Sequence, residues 1–107
     1  MKIALCQFNP ICGAMSQNAE RLIDYAQQAN AQGAELIIAP ELVISGYVHK
    51  DMLFHPEFSE QVHAALDQIA AKSPIPFLLG APIHRGEKTG QPFWNAAVLC
   101  QNNTWRV

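Results

Sequence analysis

Residues 3 to 8, Ile-Ala-Leu-Cys-Gln-Phe, place apolar side chains on both faces of an extended segment, the pattern of a strand covered from two sides. Asn9-Pro10 and Gly13 break that run. Ala19, Leu22, Ile23 and Ala26 then recur at helical spacing, with Glu20, Arg21, Asp24, Gln27 and Gln28 facing away. The spacing predicts a helix from about Ser16 to Gln32. Ser16 or Asn18 is the expected cap at its start, and Gly33 is free to take the left-handed conformation that closes its end. Glu35-Leu36-Ile37-Ile38-Ala39, stopped by Pro40, reads as a second, buried parallel strand. A second amphipathic helix opens at Pro56, where a missing amide costs nothing, and buries Phe58, Val62, Ala65, Leu66 and Ile69; Pro74 ends it. A third strand follows at Phe77 to Ala81 and a fourth at Phe93 to Cys100. Gln101-Asn102-Asn103-Thr104 makes a hairpin turn, since Asn tolerates positive φ. Trp105-Arg106-Val107 opens a fifth strand, and only three residues of it predict an interrupted element, because strands of about five or six are usual. The order β-α-β-α-β-β belongs to the α/β class with a mixed sheet.

With 107 residues there is room for one core and not for two. Half of the residues are apolar and 15% are charged, against about 25% in an average soluble domain, so a partner or further chain is expected to cover part of the surface. A net charge of −2 with no cluster of Lys or Arg excludes the electrostatic footprint of nucleic-acid binding. The longest apolar stretch, Ile75 to Ile83, is far short of the roughly 18 residues of a membrane span. The apolar run after Lys2 is shorter than the roughly 7 to 15 residues of a secretory signal, so a cytoplasmic location is expected. Three cysteines, Cys6, Cys12 and Cys100, form no CxxC pair and are expected to stay free.

Glu41 is the first candidate for chemistry. It stands just past the C-terminal end of a buried strand, where open α/β sheets place their ligands; a solvated loop glutamate is the alternative. The following loop, Leu42 to Phe54, has about thirteen residues, long enough to suggest a function. In it Tyr47 offers an aromatic wall with a hydroxyl for substrate binding, or packs half-buried over the core. His49, His55 and Glu57 match no metal-ligand spacing, and no metal is expected. Cys6 and Cys100 read as small buried hydrophobes, and Cys12, beside Gly13, as the exposed thiol, with no base assignable to it. Gly80, Gly86 and Gly90 form no phosphate-cradling loop.

Taken together, Ile3 to Pro10, Gly13, Asn18, Gly33 to Leu42 and Ser45-Gly46-Tyr47 resemble the nitrilase, or carbon-nitrogen hydrolase, superfamily. Asn9-Pro10, Asp51-Met52-Leu53 and Asn95-Ala96-Ala97 are most similar to the glutaminase domain of glutamine-dependent NAD synthetases. The resemblance implies a partial α-β-β-α sandwich, with helices on one face of a mixed sheet and the chain truncated after the fourth or fifth strand. Residues 1–107 would then be the N-terminal, incomplete portion of the domain. It further implies a Glu-Lys-Cys triad in which Glu41 is the general base, glutamine the substrate, and the ammonia released the nitrogen source for ATP-dependent amidation of deamido-NAD. No cofactor is implied for this segment; ATP and magnesium would serve a separate domain. The implied partners are the remainder of the polypeptide and further copies of it in a homo-oligomer. None of Lys2, Lys50, Lys72 or Lys88 stands in the family's lysine motif and none of the cysteines in its nucleophile motif, so residues 1–107 alone are expected to be inactive. Val48-His49-Lys50 departs from the Pro-rich or acidic segment common in the synthetases. The alternatives are another amidase of the superfamily, such as an ω-amidase or carbamoyl-amine hydrolase, or a non-catalytic interaction module.

Overall fold

The computed structural model describes residues 1–46, 56–84 and 93–107. Among them, five strands form one sheet in sequential order: β1 (Ile3–Leu5), β2 (Leu36–Ile38), β3 (Phe77–His84), β4 (Phe93–Gln101) and β5 (Thr104–Arg106). β1, β2 and β3 run parallel, while β3, β4 and β5 run antiparallel, so the sheet is mixed, as expected. The parallel crossovers carry α1 (Met15–Ala31) and α2 (Pro56–Lys72).

Each element forms for a local reason. The α1 stripe of Met15, Ala19, Leu22, Ile23, Ala26 and Ala29 is buried, and so is the α2 stripe of Phe58, Val62, Ala65, Leu66 and Ile69. Glu57 in the first turn of α2 and Lys72 in its last turn oppose the charges of the helix dipole. α1 has no basic residue in its last turn, and the Lys2 ammonium, at the start of β1, donates to the Gln32 carbonyl there instead. Gly33, at φ +85°, turns the chain out of α1. The β4–β5 turn holds Asn102 at φ +56° and Asn103 at φ +64°, the paired left-handed geometry whose twist matches that of a hairpin. The Trp105 indole donates to Asp67 Oδ1 at 2.8 Å and ties the hairpin to α2.

Three expectations are corrected. Neither Ser16 nor Asn18 caps α1: the helix begins at Met15 after Ala14, with no side-chain cap, and Asn18 is fully buried inside the helix. β3 runs on to His84, because all eight of its residues pair with β4. Among the described residues one face of the first strand is uncovered, with Ile3 46% and Leu5 74% exposed. The register explains this. Ile37, Phe77 and Cys100 share the face on which α2 lies, with the Cys100 thiol 3.9 Å from the Leu66 carbonyl oxygen. Leu5, Ile38, Leu78 and Leu99 form a row across four strands on the opposite face, where no described helix packs. No described helix is long and apolar enough to cross a membrane.

Candidate functional site

The backbone pairing of β2 with β3 continues past Ile38, through the Ala39 amide to the Leu78 carbonyl at 2.9 Å and the Gly80 amide to the Pro40 carbonyl at 3.2 Å. Pro40 has no amide to donate, and the chain leaves the sheet there. Residues 41–45 form a turn that the Gly46 amide closes on the Leu42 carbonyl at 2.7 Å. Glu41 opens this turn with its side chain exposed, so the structure places it where the sequence does, at the C-terminal end of a parallel strand.

Two close approaches fix the turn. A β-carbon on Gly80 would lie 2.4 Å from Glu41 Cα and 2.8 Å from the Leu42 nitrogen, so the backbone at Glu41 crosses β3 in space that only glycine leaves open. Gly80 pairs with Ala97 on the face carrying Leu78 and Leu99, which sets the crossing on the side of the sheet away from α2. At the other end, Gly46 has φ +68°, and a β-carbon there would meet Cys12 Cα at 3.2 Å. The Gly13 amide donates to the Ser45 carbonyl at 2.9 Å, and the Asn18 side chain reaches the Ile44 carbonyl at 2.7 Å. Between the two anchors, Leu42 sits at φ +51°, a left-handed conformation that costs a residue bearing a β-carbon about 1–2 kcal/mol. Such strain persists only where the surroundings over-determine the backbone.

The cysteines differ in environment. Cys100 is buried, and burial, with Asp67 adding to it, pushes its thiol up to about 12. Cys6 is half-buried, and burial raises it too, so both stay protonated at neutral pH. Cys12 is the exposed one. A cleft of about 430 Å³ opens between the start of α1 and the middle of α2, lined by Gly13, Ser16, Gln17, Gln61 and Gln68 among others; Glu41 does not line it. Tyr47, His49, Asp51 and His55 lie outside the described residues, as do Gly86 and Gly90. Two residues of this arrangement carry a structural part that their sequence context alone does not give them: Gly80, read there for phosphate binding, and Asn18, read as a helix cap and as part of the family resemblance. An isolated glycine inside a strand is itself a signal of close backbone approach. For Asn18 the signal is its place four residues before Leu22, which puts it on the buried stripe of α1.

Known proteins resemble this arrangement. The chain is 45% identical over 104 residues to a glutamine-dependent NAD(+) synthetase of Synechocystis, the match covering 92% of the chain and 19% of that protein. A solved glutamine-dependent NAD+ synthetase from Acinetobacter baumannii superposes with a TM-score of 0.82 at 31% identity, over 95% of this chain and 19% of that one. An amidase from Nesterenkonia superposes with a TM-score of 0.78 at 28% identity, over all of this chain and 41% of that one. In another structure of that amidase, acrylamide has added to the active site cysteine. The chain thus spans about a fifth of the length of the synthetases it matches. The model of the carbon-nitrogen hydrolase family matches residues 2–105, nearly the whole sequence, and the chain belongs to that family.

Proposed function

We propose that residues 1–107 are the first part of a glutamine amidohydrolase domain and that Glu41 is its general base. The observation that carries this reading is Glu41 itself, whose backbone crosses Gly80 at the end of β2, in a chain 45% identical to a glutamine-dependent NAD(+) synthetase. In this mechanism Glu41 takes the proton of a cysteine thiol supplied by the rest of the domain. The sulfur attacks the side-chain amide carbon of glutamine, a lysine of that same remainder stabilises the oxyanion, and the C–N bond breaks as the nitrogen leaves protonated as ammonia. Water then cleaves the thioester to glutamate and restores the thiol.

Neither Cys6 nor Cys100 takes the nucleophile's part, since burial holds both as thiols. The apolar row from Leu5 to Leu99 gives the remainder of the domain a face to pack on, as the second sheet of an α-β-β-α sandwich. The ammonia passes to a separate ATP- and magnesium-dependent domain that amidates deamido-NAD. Beside Gly80 itself the Glu41 backbone fills the space, which leaves no room there for a phosphate group.

The test is glutamine hydrolysis by the polypeptide continued through the complete domain, with and without Glu41→Gln. Loss of a general base lowers the rate by about 10²- to 10⁴-fold, and equal rates would overturn the assignment. Residues 1–107 alone are expected to release no ammonia from glutamine. A second reading, an amidase acting on a short aliphatic amide, is favoured by the fit of the whole chain to the Nesterenkonia amidase. Hydrolysis of acrylamide in preference to glutamine would select it.

A further inference from the structure

We propose that Asn18 is a positioning residue that holds the Glu41 turn from the side of α1. Asn18 is 0% exposed, and its amide makes three hydrogen bonds to backbone that is distant in sequence. The Ile11 amide donates to Oδ1 at 3.0 Å, while Nδ2 donates to the Ile11 carbonyl at 2.8 Å and to the Ile44 carbonyl at 2.7 Å. One side chain thus joins α1, the segment after β1, and the turn that Glu41 opens. The Gly13 amide, bonded to the Ser45 carbonyl at 2.9 Å, runs beside this clamp and joins the same two segments.

The chemistry selects an amide. The position must accept one N–H and donate two, which asparagine does and aspartate, leucine or alanine does not. Helix propensity does not account for asparagine in the second turn of α1, since it is a poorer helix former than alanine. Ile44 lies in the middle of the 41–46 turn, between the Gly80 crossing and the Gly46 bend. Without Asn18 the Gly80 anchor remains, and of the described hydrogen bonds that tie the far end of the turn to the segment after β1, the Gly13–Ser45 bond is left. The hydrogen bonds of Asn18 go to the backbone of Ile11 and Ile44, so it acts through the backbone on where Glu41 points.

This inference rests on Glu41 as the base, so its test has two readouts, both in the complete domain with Asn18→Ala and the near-isosteric Asn18→Asp. The first is amide exchange. The Gly13 and Gly46 amides are expected to exchange at least about tenfold faster in either variant, with the Ile37 amide in the sheet unchanged. The second is kinetics. The kcat per folded domain is expected to fall about tenfold to a hundredfold with KM within roughly twofold, the signature of a displaced catalytic group rather than of lost binding. Exchange that rises everywhere, or nowhere, would overturn the proposal. So would a wild-type kcat in both Asn18 variants while Glu41→Gln is inactive, an outcome that leaves the glutaminase reading standing. A wild-type domain silent on glutamine would sink that reading instead, and the exchange of Gly13 and Gly46 would still decide whether Asn18 holds the turn. Should Asn18→Ala fail to fold, the Asp variant, which keeps the side-chain volume and the bond from Ile11, carries both readouts.

Discussion

Replacing Gly80 by alanine puts a single methyl group where the Glu41 backbone crosses β3, and the structure sets the size of the effect. The new carbon would sit 2.4 Å from Glu41 Cα, 2.8 Å from the Leu42 nitrogen and 3.0 Å from the Glu41 carbonyl carbon. Carbon atoms pack at about 3.5–4.0 Å, so the turn must retreat by about 1 Å or more. Every one of these neighbours is backbone, and no side-chain rotation relieves the contact. Overpacking of this kind costs about 1–3 kcal/mol, readable as a lower urea midpoint with an unchanged slope. If Glu41 is the base, a displacement of about 1 Å lowers glutamine turnover per folded domain by about a hundredfold. Gly33→Ala is the matched control: its φ of +85° strains an alanine, yet nothing lies within 4 Å of the added carbon and the site is remote from Glu41. That variant is expected to lose about 1–2 kcal/mol of stability and no turnover. A Gly80→Ala domain with wild-type kcat would refute the claim that the crossing positions the carboxylate.

The fold carries three further predictions. Under native conditions a thiol reagent is expected to label exposed Cys12 first and buried Cys100 last, and equal labelling rates would contradict the packing. Because the folded state holds the Cys100 proton up to about 12, against 9.0 for an ordinary thiol, its contribution to stability is complete below pH 9 and is lost as the pH rises toward 12; the stability difference from Cys100→Ala should shrink across that window. At the β4–β5 turn, Asn103→Val forces a β-branched residue to φ +64°, with an expected loss of about 1–2 kcal/mol by thermal or urea unfolding.

Much of this fold was legible because its signals are local. The 3.6-residue stripes of α1 and α2 lie on the face each helix buries, Pro40 and Pro74 mark ends, and the Asn102-Asn103 pair marks a turn that only left-handed residues make cheaply. What misled is equally physical. Ile3 and Leu5 are apolar enough for a doubly covered strand, and periodicity says that a face is meant to be buried without saying by what. Asn18 looked like a cap because a polar residue near a helix start usually is one. Its real partners, Ile11 and Ile44, lie 7 and 26 residues away, and only the folded chain brings them within reach. The place of Glu41 at the end of the second strand is legible in the sequence; that its backbone crosses Gly80 needs the register of β2 against β3.

The anchors around Glu41 are of two different kinds, and the difference bears on what the site requires. Gly80 works by absence: it lets backbone approach backbone, and any larger residue pushes the turn outward. Asn18 works by presence: it satisfies two carbonyls and an amide, and its removal leaves the buried Ile44 carbonyl and the part-buried Ile11 groups to find water or move. One anchor limits how far the turn lies from the sheet, the other how far it drifts from α1, and neither alone fixes a point in space. The backbone between them is strained at Leu42, the residue directly after Glu41, and a strained residue relaxes as soon as either anchor gives. The two substitutions should therefore couple: Gly80→Ala combined with Asn18→Ala should lose less stability than the two single losses added together, since the first change to displace the turn removes part of what the second would break. Additive losses would mean that the anchors act on separate pieces of chain, and that Glu41 is held by only one of them.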